Sequence, residues 1–135
     1  MRQTSKTIYG EQKNIMLDTA DYDSTPLKIK KADVKDLLNS DEVLEAGTLL
    51  TKDGKKVTNV ASNSESGTAA STNAHFILKN DLDFKGSMSP DSNPDNACEV
   101  GSALIRGNVI ESTIKFDEGF KDIQETALKH IYFGQ

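Results

Sequence analysis

The sequence predicts a mainly β domain with peripheral α-helices, preceded by an extended N-terminal arm. Three observations carry that reading. Asp53-Gly54 stands between apolar flanks, a strong hairpin signal because both turn positions favour positive φ. A short apolar run at 76–78 reads as a buried strand, and 99–110 and 113–116 resume strand character. Between them lie stretches of Ser, Asn, Gly and Pro, which run over a surface.

Taken in order, residues 1–45 form the predicted arm and residues 46–135 the predicted body. Residues 1–26 are polar, with apolar islands at Ile8-Tyr9 and Ile15-Met16-Leu17, and hold no sustained period of 2 or 3.6. Two such islands cannot close a core, so the arm is expected to be extended and poorly ordered alone. Apolar anchors on a chain with free backbone groups are what a strand-adding arm requires. Within the arm, Val34, Leu37 and Leu38 make one stripe and predict a short helix over 31–44, ended by the turn chemistry of Asn39-Ser40-Asp41.

The body is expected to open with hairpin strands at about 48–52 and 55–60. Residues 61–73, with Glu65 as their one charge, read as a loop or flexible excursion. Residues 75–79 are a buried strand, 82–84 alternate out of it, and 86–96 form a second polar excursion. Gly101 and Gly107 mark bends or bulges in the strand over 99–110. Asp117 is placed to cap a C-terminal helix whose apolar positions are Phe120, Ile123, Ala127 and Leu128, with Gln124 on the polar face. Ile131-Tyr132-Phe133 follows as a terminal strand.

Composition narrows the function classes. The 135 residues carry 21 acids against 16 bases, a net charge of −5, which argues against a surface for nucleic acid. No apolar run is long enough to cross a bilayer, and residues 1–10 show no basic-then-apolar leader. Cys98 is the single cysteine and cannot form an internal disulfide; with two histidines it makes no common zinc set. Asp91, Asn93 and Asp95 alternate like the start of an EF-hand, but Asn96 replaces the required Gly and Ser102 the bidentate Glu. That loop therefore reads as a surface loop with Asx-type turns. Cys98 could pair with His75 or His130 in nucleophilic catalysis, yet no local signature supports it. His75 is expected as a hydrogen-bonded histidine at the core edge. No phosphate-cradling glycine motif occurs. No catalytic site, cofactor site or metal site is expected.

The body resembles the lambda-type head decoration proteins of tailed bacteriophages. The residues that carry the resemblance are Ala46-Gly47-Thr48-Leu49-Leu50 leading to Gly54-Lys55, and Phe76-Ile77-Leu78 followed by Asn80-Asp81-Leu82-Asp83. They continue with Ala103-Leu104-Ile105-Arg106-Gly107-Asn108-Val109 and with residues 120–133. The resemblance implies a β-clip-like bent ribbon or small barrel, and homotrimers at local three-fold positions on the exterior of the expanded head. The implied partner is the major capsid protein, with neither nucleic acid nor membrane contacted directly. The implied location is the outer surface of a virion assembled in the host cytoplasm, and no catalysis is implied. Ile8, Tyr9, Ile15, Met16 and Leu17 are then the expected capsid-binding anchors. Two other readings stay open: a low-copy virion component such as a tail or head-fibre base, and a small cytoplasmic enzyme or ligand-binding module.

Overall fold

The structure is a computed structural model and describes residues 14–134. Strand accounts for 37% and helix for 17%, so the protein is mainly β, as the sequence predicts. β1 (Tyr22–Lys30) leads through α1 (Lys31–Val34) and a 3-10 turn (Lys35–Leu37) to β2 (Val43–Leu44) and β3 (Leu49–Leu50). β4 (Asn59–Val60), β5 (Ser71–Thr72), β6 (Phe76–Leu78) and β7 (Leu82–Asp83) follow. A 3-10 turn at Pro94–Asn96 precedes β8 (Cys98–Ile110), and another at Glu111–Thr113 leads to α2 (Lys121–Ala127) and β9 (Ile131–Gly134).

The main sheet has the order β1-β8-β6-β3, all antiparallel, with β9 parallel to the end of β8. Its strands β3 and β6 are apolar on both faces because each face meets a different cluster. Leu49 and Ile77 join Met16, Leu104, Val109 and Ile131 in one. Their neighbours Leu50 and Leu78 join Ile29, Val34, Leu44 and Phe84 in the other. Adjacent residues thus point to opposite cores, which is why these strands read as continuous apolar runs.

Residues 14–45 do not form a separate arm. β1 pairs with nearly the whole of β8, from Tyr22↔Gly107 to Lys30↔Cys98. The pairing escapes a period-2 reading because Tyr22 packs on one cluster while Leu27 and Ile29 serve the other. Lys31 donates its backbone N–H to Ala97 O at 2.9 Å, which sets the parity of the ladder. Pro26, five residues earlier, then turns its missing donor away from β8, the arrangement an edge strand tolerates. Farther along this edge, a Cβ built on Gly54 would stand 2.8 Å from Lys28 O, so the 51–55 turn covers β1 there.

The other local expectations hold in part. The helix expected over 31–44 is one turn of α1 continued as 3-10, with Val34 buried and Leu37 and Leu38 half-buried. Asn39 does end it: its Oδ1 accepts from the N–H groups of Asp41 and Val43. The Asp53-Gly54 turn forms, closed by Thr51 N–H to Lys55 O at 3.0 Å, with Gly54 at φ +79°. Only one bridge, Leu50↔Lys56, follows it, because β3 takes β6 as its ladder partner instead. Residues 61–73, expected to be a loop, are most of a hairpin. β4 pairs with β5, and Asn63 and Thr68 exchange backbone bonds of 2.8 and 2.9 Å nearer the tip.

Strand β8 is bulged, though not at a glycine. Asp23 pairs with Arg106 and Ser24 with Leu104, leaving Ile105 as the extra, exposed residue. Near the C-terminus Asp117 does not cap α2 with its side chain. Its Oδ2 accepts from Gln124 Nε2 at 2.9 Å, and Gln124 Oε1 accepts from Asp117 N–H at 3.0 Å. Gln124 Nε2 also donates to Asn59 Oδ1. Gln124, expected on a polar face, is instead fully buried and ties α2 to the base of the β4–β5 hairpin. A buried amide is tolerated here because donor and acceptor are both satisfied.

Gly47 is the tightest backbone position. Its φ is +91°, and a Cβ would collide with the Thr113 carbonyl. Its N–H donates to Leu78 O at 2.8 Å and its carbonyl accepts from Lys115 N–H at 3.0 Å, so neither side can retreat. Gly47→Ala is expected to lower stability by about 1–3 kcal/mol or more, measured by denaturant unfolding.

Candidate interaction surface

The C-terminal end of β8 is flanked on both sides. On one side runs β9, from Gly107↔Ile131 to Ile110↔Gly134. On the other, residues 15–17 add antiparallel to β8. Ile110 N–H donates to Ile15 O at 2.8 Å, Leu17 N–H donates to Asn108 O at 3.0 Å, and Met16 bridges Val109. Strand addition by this segment therefore occurs, and the strand it joins belongs to its own body.

The five expected anchors separate accordingly. Ile8 and Tyr9 lie outside the described residues. Ile15 and Met16 are buried, 0% and 5% exposed, and belong to the first core cluster, so in this structure neither is open to a partner. Leu17 is 46% exposed. Its register places it in one row with Asn108 and Tyr132, and Tyr132 is 64% exposed. A Cβ on Gly134 would come within 2.6 Å of Leu17 Cδ2 and 3.1 Å of the Tyr132 ring. Glycine at 134 thus lets Leu17 and Tyr132 share a contiguous apolar strip. Tyr132 was not singled out from sequence, although Ile131, Tyr132 and Phe133 alternate buried, exposed and half-buried as a strand edge should.

The catalytic candidates do not converge. Cys98 is exposed at the start of β8, its thiol 3.7 Å from Asn96 O. His130 accepts at its backbone carbonyl from Gly107 N–H, nine residues along the strand. At about 3.3 Å per residue that is roughly 25–30 Å away. His75 and His130 share one hollow with Phe76, Ile105 and Leu128, at the end of β8 away from Cys98. His75 itself is exposed rather than a core-edge residue, with its ring edge-on to Phe76 at 4.5 Å. It stands between the buried Ala74 and the half-buried Phe76, with its own side chain turned outward.

The acidic loop uses its side chains on itself. Asp91 Oδ1 accepts from Asn93 N–H, Asn93 Oδ1 from Asp95 N–H, and Asp91 Oδ2 from Asn96 Nδ2. These are the expected Asx turns. The Asn93 N–H first, then Ser89 and Asn96, hold the Asp91 carboxyl below its ordinary range. Asp95 is paired with Lys35 at 3.0 Å. Among the described residues no group of three or more His, Cys, Asp and Glu is placed to hold a metal ion. Beside the bulge, Arg106 forks between Asp21 and Asp23 at 2.9 and 2.8 Å, bonds that raise its already high pKa. The fork is exposed, so it orients the entry into β1 more than it stabilises it.

Compared with family models, curated proteins and solved structures, the chain finds no match in any of the three. Among the described residues no helix is long and apolar enough to cross a membrane.

The division between core and surface at residues 15–17 and 132 is directly testable. Met16→Ala is expected to cost about 2–5 kcal/mol as a core truncation. Tyr132→Ser is expected to stay within about 0.5–1 kcal/mol of the parent. Chemical denaturation of the two variants side by side measures both.

Proposed function

We propose that this protein is a bacteriophage capsid decoration protein that binds the major capsid protein on the exterior of the expanded head. In this reading it acts as a homotrimer at local three-fold positions, stabilises the shell against packaged DNA, and performs no catalysis. The β-clip-like bent ribbon belongs to the same reading. Its support comes from the order of the resembling motifs along residues 46–135 and from the mainly β fold. The observation that carries it furthest is the strip at the end of β8. There residues 15–17 already add as a strand, Leu17 and Tyr132 are open, and the chain continues upstream into the thirteen residues that hold Ile8 and Tyr9.

Energetics set what such an attachment needs. Ordering a free segment costs about 1–2 kcal/mol per residue of backbone, so apolar anchors have to offset it. Three-fold attachment adds avidity, which can raise affinity by roughly 10²–10⁴ over a single contact. Ile8, Tyr9 and Leu17 are the anchors available for this role, since Ile15 and Met16 hold the body together. A net charge of −5 suits a protein that meets a shell rather than DNA.

Removing residues 1–13 separates attachment from folding, because it deletes Ile8 and Tyr9 and keeps Ile15 and Met16. The shortened chain is expected to fold as the parent does and to lose binding to expanded heads in a co-sedimentation assay. Undiminished binding would sink the arm's role. Mass spectrometry of purified virions from the parent phage is expected to find copies in number similar to the capsid protein. A few copies per particle would instead favour a tail or head-fibre component.

A further inference from the structure

We infer that Glu125 and Glu111 share one proton that latches α2 onto the Glu111–Thr113 turn, so that the C-terminal helix docks more tightly in mild acid than at neutral pH. Lys121 and Glu125 are four residues apart and so lie on one face of α2. Both reach the same partner. Lys121 Nζ pairs with Glu111 Oε1, and the Glu125 carboxyl meets the Glu111 carboxyl. Glu125 Oε1 is buried and is the one such side-chain atom with no donor among the described residues.

Two ionised carboxylates are acceptors only and cannot bond each other. One proton between them replaces repulsion with a charge-assisted O–H···O bond. The Lys121 ammonium favours charge on Glu111, which assigns the proton to Glu125. The electrostatics follow the geometry. Burial first, then the bond to Glu111 and its charge, push the Glu125 carboxyl above its ordinary value of 4.5. The bond from Lys121, then that from Glu125, holds Glu111 below the same value. The charges acting on Glu125 are Glu111 from the turn and Lys121 and Asp122 from its own helix, and Asp122 adds to the upward push.

The two groups bound the latch from opposite sides. Glu125 titrates above its unfolded value, so its contribution is complete below that value and lost as pH rises through the folded one. Glu111 titrates below its unfolded value, so its contribution is present above that value and lost as pH falls through the folded one. The latch is closed between the two titrations, a window that brackets pH 4.5, and loosens at neutral pH when both groups are ionised.

The test follows the side-chain carboxyl signals of the full chain by NMR across pH, together with hydrogen-exchange protection of the α2 amides. Glu125 is expected to titrate above 4.5 and Glu111 below it. Protection in α2 is expected to fall several-fold between pH 4.5 and neutral pH in the parent. Glu125→Gln donates to Glu111 at every pH and is expected to retain at neutral pH the protection seen in acid. Glu125→Ala can neither donate nor repel, and is expected to show no difference between the two conditions. Glu125 titrating at or below 4.5, or unchanged α2 protection in the parent, would overturn the latch. So would a Glu125→Gln variant that loses protection as the parent does.

Discussion

Backbone pairing along β8 is the constraint on which the rest of the structure depends. Its thirteen residues are the common partner of β1, β6 and β9 and of the segment at residues 15–17. Each neighbour supplies donors and acceptors that burial would otherwise leave unsatisfied. The side chains of β8 are small where partners crowd it. A Cβ on Gly101 would stand 3.0 Å from Leu78 and 3.4 Å from Ile29, and one on Gly107 would stand 3.1 Å from Tyr22 Cβ. The strand is therefore a backbone scaffold on which apolar residues from distant parts of the chain meet.

That arrangement explains why a domain of this length has two modest cores rather than one large one. Alternate residues of β3 and β6 feed opposite clusters; the first is closed by segments far apart in sequence, and the second lies within residues 27–84. Residues 15 and 16 close the first together with Leu128 and Ile131, while Ile29 and Val34 close the second with Phe84. Removing residues 15 and 16, or Leu128 and Ile131, would open the first core. The apparent polarity of the first 45 residues thus conceals a strand of the main sheet and core residues, among them Ile15, Met16, Ile29 and Val34.

The surface follows from the same scaffold. Where β8 ends, its two flanking segments expose Leu17 and Tyr132, and Gly134 leaves room between them. Beyond β8, the turn at Glu111 receives α2 through charged side chains, while Gln124 fastens the other side of that helix to the β4–β5 hairpin. One side of α2 is held by the Gln124 amide, bonded to Asp117 and Asn59, and the other by the Lys121 and Glu125 side chains. The difference in chemistry makes the C-terminal helix a device as well as a cover.

Much of the fold was readable from local signals. Phe76–Leu78, the strand that begins at Cys98 and the terminal strand were visible as apolar runs bounded by turn residues. The turns at Gly54 and Asn39 and the Asx turns at 91–96 were visible because their chemistry acts within a few residues. By itself the sequence determined the mainly β class, these punctuation points and an acidic surface. Tertiary structure alone decided that β1 belongs to the body, that β3 pairs with β6 rather than with its hairpin neighbour, and that Gln124 is buried. It also decided which of the expected anchors remain exposed. The physical reason is range. Turn and strand preferences are properties of neighbouring residues, whereas pairing partners and burial depend on residues such as Tyr22 and Gly107, or Asn59 and Gln124, that meet only when the whole chain has folded.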